Sequence, residues 1–173
     1  ARVLTEYFPT LTPEGVWKCV IEALESADAS SLVMDDARAS LEGVRALGLS
    51  VATVGNVIFW PGAYTRLLLR RAGLAELIDV QVYADEVACS KPRPCIFDEV
   101  RRRLRSEGLD DALVAHVGDS VRDDFLGAYS YGIAAILVDR ESSLRYTGCL
   151  IEGRAYIIRS LREVPRLLAE LTK

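Results

Sequence analysis

Val114-Ala115-His116-Val117-Gly118-Asp119-Ser120-Val121-Arg122-Asp123-Asp124, followed by Gly127-Ala128, is where the chain declares both its fold and its chemistry. It reads as a buried strand that ends on a glycine and an aspartate, then a turn into a helix that opens with two more carboxylates. If that helix begins near Ser120, Asp119 and Asp124, five residues apart, both look back at the carboxyl end of the strand. Paired carboxylates there suit Mg²⁺, which takes hard oxygen ligands and keeps several waters. Open α/β sheets bind their ligands at that same edge. A helix N-terminus decorated with acids that complement its macrodipole is the other reading, and this stretch alone does not choose between them.

The elements on either side alternate in type. Thr12-Pro13-Glu14 starts a helix, with Thr as N-cap and Pro at the first helical position, and Val16, Val20, Ile21 and Leu24 continue it as a stripe. A second helix is expected from about Asp36 to Leu47, stopped by Gly48. Ser50 to Val54 reads as a buried strand turning at Gly55-Asn56, and Pro61 to Ala72 as a helix closed by Gly73. Asp79 to Tyr83 is the next strand. The helix from about Arg93 to Glu107 carries Arg101-Arg102-Arg103-Leu104-Arg105. Asp98 and Glu99 stand four residues before Arg102 and Arg103, so that run reads as a solvated face of ion pairs rather than a basic patch. Strands follow at Leu113 to Val117, Ile133 to Val138 and Ala155 to Ile158, with a last helix near Leu161 to Leu171. Strands alternating with helices imply a mainly parallel sheet covered on both faces, a three-layer α/β domain.

The 173 residues suffice for one domain with a real core. Half are apolar and the net charge is −4, a globular profile without the basic footprint of a nucleic-acid binder. No apolar run approaches the ~20 residues needed to span a bilayer, and the first residues do not resemble a signal peptide. The expectation is a cytoplasmic protein. Cys19, Cys89, Cys95 and Cys149 form no CxxC pair, which argues against zinc. Cys89 and Cys95 flank a Lys-Pro-Arg-Pro turn and are expected to be two unpaired thiols; a disulfide would fit a hyperthermophilic host. His116, the one histidine, lies inside an apolar strand and reads as a core residue.

Three sequence-distant turns each follow an expected strand: Gly55-Asn56, Ser90-Lys91-Pro92 and Gly118-Asp119. In a parallel sheet they gather at one edge. Lys91 carries an ammonium suited to phosphate, and a metal near Asp119 would add a second cationic support. That combination serves phosphoryl transfer, where positioning and charge neutralisation do most of the catalysis.

On these residues the chain resembles the haloacid dehalogenase (HAD) superfamily of hydrolases, from about Met34 to Arg140 and more weakly to the end. Val54-Gly55-Asn56 stands where the family has a strand ending in Ser or Thr followed by Asn. Lys91-Pro92 with Ile96-Phe97 matches its phosphate-contacting lysine and the helix after it. Val117-Gly118-Asp119-Ser120 through Asp123-Asp124 and Gly127-Ala128 matches its acidic metal motif. The resemblance implies a Rossmann-like core over residues 31–173, preceded by a helical cap remnant over 1–30. It implies Lys91 and Asn56 as catalytic residues and Gly55, Asn56 and Lys91 around the phosphate. It also implies Mg²⁺ at Asp119 and Asp124, Asp119 directly and Asp124 through a water or a hydrogen bond. Asp123, in the helix turn, is expected to face solvent.

The chain departs from the family pattern in two places. Gly55 replaces a hydroxyl residue that would hydrogen-bond the phosphoryl oxygen, at a cost of roughly 1.5–3 kcal/mol; Thr53 lies deeper on the same face. The nucleophile motif, an Asp-x-Asp-x-Thr at the end of a first strand, is absent: Met34-Asp35-Asp36-Ala37-Arg38 has the wrong spacing. In the family that strand lies between the strand ending at Asn56 and the one ending at Asp119. Either upstream residues supply it, or another segment such as residues 1–8 or a partner chain fills the slot. The implied activity is a Mg²⁺-dependent phosphatase of a small phosphorylated metabolite, acting through an aspartyl-phosphate whose nucleophile lies outside these residues, so that the chain alone is expected to be inactive. A 2-haloacid dehalogenase and a non-catalytic phosphate-binding or interaction module are the alternatives.

Overall fold

A computed structural model of the chain describes residues 12–57, 60–141, 144 and 146–173. Helix α1 (Pro13–Ser26) opens with the Thr12 side chain accepting the Gly15 N–H. Its C-terminal end is held to the next domain element by Arg71, whose guanidinium donates to the carbonyls of Leu24 and Ala27. The expectation of a cap remnant over 1–30 falls partly on residues 1–11, outside the described residues, as does the expectation of a strand from residues 1–8.

Then follow α2 (Ala37–Ala46), β1 (Ala52–Gly55), α3 (Gly62–Arg71), β2 (Val80–Tyr83), α4 (Ala84–Val87) and α5 (Pro94–Ser106). The second half holds β3 (Ala115–Gly118), a π-helical turn (Val121–Leu126), α6 (Gly127–Tyr131), β4 (Ala134–Val138), β5 (Gly148–Ile151), β6 (Ala155–Ile158) and α7 (Val164–Leu171). Every strand expected from the apolar runs is present, with ends moved by one or two residues. Strand β5 was not expected. All four of its residues are exposed, so it carries no burial pattern, and it is an antiparallel edge against β6.

The sheet has two parts. Strands β1 and β2 pair in parallel, with Ala52 opposite Val80. Strands β3, β4 and β6 pair in parallel, and β5 completes the order β3-β4-β6-β5. Among the described residues β1 does not pair with β3, the separation expected if a strand belongs between them.

Alternation along the strands sorts the core into two layers. Val44 of α2 and Val164 and Leu168 of α7 pack on Ile136, Val138, Tyr156 and Ile158. On the other face Ile96, Phe97, Val100 and Leu104 of α5 pack on Val80 and Val82. Strand β4 is buried at every residue, as expected of a central parallel strand covered on both sides.

Asp36 ties the start of α2 to the residues that follow β4 and β6. Its carboxylate accepts from Arg140, Ser160 and the Leu161 N–H. The Arg140 guanidinium, aided by Ser160 and Leu161, holds this carboxyl well below the usual range despite its burial. No helix among the described residues is long and apolar enough to cross a membrane.

Two surface expectations need correction. Cys89 and Cys95 are joined by a disulfide, with Cα atoms 6.2 Å apart, rather than standing as free thiols. The Lys-Pro-Arg-Pro turn folds back far enough to bring its flanks together, which spacing alone did not show. In the arginine run, Glu99 pairs with both Arg102 and Arg103. Asp98 instead accepts the Tyr131 hydroxyl.

Candidate functional site

Parallel strands all present their carboxyl ends to one edge, and there the three turns meet. Asn56 leaves β1 and clasps the backbone of the lysine loop twice: its Nδ2 donates to the Lys91 carbonyl (2.9 Å) and its Oδ1 accepts the Lys91 N–H (2.8 Å). A single amide side chain thereby fixes a loop 35 residues away. Lys91 in turn reaches under the edge. Its Nζ donates to the Val54 carbonyl (2.7 Å) and to Asp124 Oδ1 (2.7 Å), and its side chain is only 11% exposed.

Asp124 anchors the far side. Oδ1 also accepts from His116 Nε2 (2.8 Å), while Oδ2 accepts the Ser120 N–H (3.0 Å). Gly118 makes room for this, since a Cβ there would overlap the Asp124 carboxyl carbon. Burial alone would raise the Asp124 carboxyl, but the His116 hydrogen bond and the Lys91 charge outweigh it and hold the group well below the usual carboxylate range. An ionised Asp124 sets the His116 tautomer, with the proton on Nε2. His116 is a satisfied, largely buried histidine as the strand pattern suggested, edge-on to Phe97 with ring centroids 5.3 Å apart.

The sequence reading grouped Asp124 with Asp119 as metal residues. Both Asp124 oxygens are engaged by protein groups, an arrangement that matches hydrogen bonding to Lys91 rather than direct coordination. Asp119 is different. It is exposed at the strand end and makes no hydrogen bond among the described residues. It opens onto a cavity of about 530 Å³ lined by Met34, Val117, Gly118, Asp139, Arg140 and Leu161.

Asp123 was expected to face solvent and does not. It is half-buried, and its Oδ2 lies 3.4 Å from Asn56 Nδ2. The cause is the π-helical turn over Val121–Leu126, in which the Asp124 and Phe125 amides both donate to the Ser120 carbonyl. The wider turn rotates Asp123 towards the edge, whereas α-helical spacing points it away. Among the described residues no three acidic, cysteine or histidine side chains cluster as a ready-made metal cage. The exposed Asp119 carboxylate is nevertheless the kind of hard-oxygen donor that a largely hydrated Mg²⁺ accepts.

Gly55 is explained by its neighbour. A Cβ at Gly55 would lie 2.7 Å from Cδ1 of the Tyr83 ring, and Gly62 faces the same ring. Tyr83 is fully buried, and burial pushes its hydroxyl up to about 12, so it stays protonated and donates to Gln81 Oε1. The aromatic ring thus occupies the space that a serine or threonine side chain would need. No sequence signal linked Tyr83 to Gly55, because they meet only through the β1–β2 register.

Below the bridge, between β1 and β3, runs a cleft of about 480 Å³. Ala52 and Val54 line one wall, Ala115 and His116 the other, and Phe97 and Val100 the floor.

A family model described as HAD-hydrolase-like matches residues 88–164, which include Lys91 and the whole acidic turn. The chain is 35% identical over 109 residues to the mouse (Mus musculus) haloacid dehalogenase-like hydrolase domain-containing protein 3, covering 61% of this chain and 39% of that protein. It is 38% identical over 73 residues to glyceraldehyde 3-phosphate phosphatase of Methanothermobacter thermautotrophicus, covering 42% of this chain and 31% of the relative. The chain therefore spans well under half the length of either relative. The crystal structure of a HAD phosphatase from Thermococcus onnurineus superposes with a TM-score of 0.61 at 33% identity, over 79% of this chain and 58% of the other. With the asparagine clasp, the bridged lysine and the acidic turn meeting at one sheet edge, the chain is similar to hydrolases of the haloacid dehalogenase superfamily in sequence and in fold.

Proposed function

We propose that the protein is the core of a Mg²⁺-dependent phosphatase acting on a small phosphorylated metabolite. The observation that supports this most is the Lys91 ammonium, held by Val54 and Asp124 at the same sheet edge as the free Asp119 carboxylate. A dianionic phosphate group seated there meets Lys91, the Asn56 side chain and the backbone N–H groups of the β1 turn. Asp119 would hold Mg²⁺, which supplies charge neutralisation at the phosphoryl oxygens. Asp124 and His116 do not reach the phosphate in this scheme; they position Lys91. A dehalogenase has less use for the acidic turn, since displacement of halide needs no metal.

The attacking carboxylate is assigned to a strand seated in the cleft between β1 and β3. Such a strand would pair in parallel with both walls and end beside Lys91. Among the described residues no carboxylate takes that place, so residues 1–173 are expected to bind phosphate without turning over phosphate monoesters.

The test is binding of inorganic phosphate to the full chain with and without Mg²⁺. Binding should strengthen with Mg²⁺ and fall at least tenfold in Lys91→Ala, in line with the worth of a charge-assisted contact. Equal affinity in wild type and Lys91→Ala would sink the proposal.

A further inference from the structure

The Cys89–Cys95 disulfide closes a short loop around Lys91, the residue on which the proposed phosphate site depends. Its two ends differ. Cys89 is 6% exposed and belongs to the core layer beneath α5, whereas Cys95 is exposed in the first turn of that helix. The bond therefore fastens the loop between α4 and α5 to a helix that is itself buried along one face. Lys91 lies between the fastened ends, two residues after Cys89.

The loop needs fastening. Ala88, just before Cys89, adopts a left-handed conformation (φ 52°), which a residue with a Cβ reaches only under constraint. Inside the loop the backbone bonds are few: the Arg93 N–H donates to the Ser90 carbonyl, and the Arg93 side chain returns to the Ala88 carbonyl at 3.3 Å. The Lys91 ammonium, by contrast, must sit within hydrogen-bond reach of both Val54 and Asp124. The Asn56 clasp fixes the Lys91 peptide group but not the path of the chain on either side of it.

The geometry points to the disulfide as a redox-sensitive positioning element for Lys91, intact in the binding-competent state and released by thiol reductants. The inference rests on the phosphate-site reading only for its consequence; the positioning itself is independent of it. Release proceeds by exchange. A reductant thiolate attacks the exposed Cys95 sulfur, the sulfur–sulfur bond breaks, and the Cys89 thiolate leaves and takes a proton. A second reductant thiol then resolves the mixed disulfide, so that two thiols are oxidised to a disulfide as Cys89 and Cys95 are reduced.

The sequence supplies its own probe, because Lys18, Lys91 and Lys173 are the only lysines. Lys18 is 78% exposed at its side chain and Lys173 is exposed, so both serve as internal standards. The full chain, oxidised or reduced with dithiothreitol and desalted anaerobically, is acetylated with an N-hydroxysuccinimide ester. The labelling rate at each lysine is read by peptide mass mapping. Reduction should raise the rate at Lys91 about three- to tenfold, as local opening of a surface loop would, with Lys18 and Lys173 unchanged. Cys89→Ser/Cys95→Ser should match reduced wild type without reductant, and Cys19→Ser/Cys149→Ser should keep the redox response. An unchanged Lys91 rate, or an equal rise at all three lysines, overturns the inference. Should the double variant fail to fold, the wild-type comparison still decides.

Inorganic phosphate with Mg²⁺ is then added to both forms. Protection of Lys91 that is stronger in the oxidised chain extends the inference to the site. Equal protection in both forms confines the disulfide to a structural role and overturns it. Protection in neither form removes the phosphate reading, and the labelling rates alone then settle whether the disulfide positions Lys91.

Discussion

One carboxylate organises the site. Asp124 is ionised, buried and shared between Lys91 and His116, so removing it leaves an ammonium with 11% exposure and only the Val54 carbonyl as a partner among the described residues. Breaking a buried pair in this way costs about 3–5 kcal/mol, and Asp124→Ala should lose stability on that scale in urea unfolding at pH 7. The pH dependence has a definite sign. Because the folded carboxyl titrates below its unfolded value, its contribution is complete above about pH 4 and fades as pH falls through the folded value. The gap between wild type and Asp124→Ala should therefore be full at neutral pH and close in strong acid. A gap that persists undiminished at the lowest pH where both fold would mean that Asp124 acts by packing. At this scale the sequence was a fair guide to identity and a poor one to contact. Spacing singled out Asn56, Lys91, Asp119 and Asp124, but the Asp124–His116 bond and the Tyr83–Gly55 contact depend on register and rotamer. Neither leaves a trace in one dimension.

Among elements, periodicity carried most of the information. Buried strands such as β4 and amphipathic helices such as α5 announce themselves because burial constrains every position. Strand β5 is exposed throughout, so nothing in its composition separates it from a loop; the glycines at 148 and 153 that bound it were the available signal. The π-helical turn was invisible for a related reason: one extra residue per turn changes which way Asp123 faces without changing residue types. The disulfide belongs to the same scale. It closes a loop of seven residues between α4 and α5, and the chain-entropy relation gives roughly 2 kcal/mol for a loop of that size. Cys89→Ser/Cys95→Ser should therefore unfold at lower denaturant with an unchanged slope. Equal midpoints for variant and wild type would show that the cross-link adds nothing to folding stability.

The molecule as a whole is two half-sheets joined across a cleft. Backbone ladders hold each half, whereas the halves meet through side chains: Asn56 with Asp123, the Lys91–Asp124 pair, Asp36 with Arg140, and Phe97 against His116 and Tyr131. Strand β4 has ladder partners on both sides and β1 on one. Native-state hydrogen exchange should accordingly be slowest in β4 and markedly faster in β1. Uniform protection across β1, β3 and β4 would mean that the cleft is closed by paired backbone. The missing β1–β3 ladder was foreseeable from the absent first motif, and it is the part of the architecture for which sequence pattern was most direct.

That division also has a consequence in time. Each half pairs strands that are near neighbours along the chain, Ala52 with Val80 and Ala115 with Ala134, so neither must wait for the other to zip. The side-chain rivets between them can close only once both exist. A strand that came to lie in the cleft would pair its backbone with both walls and so couple the two ladders into one cooperative unit.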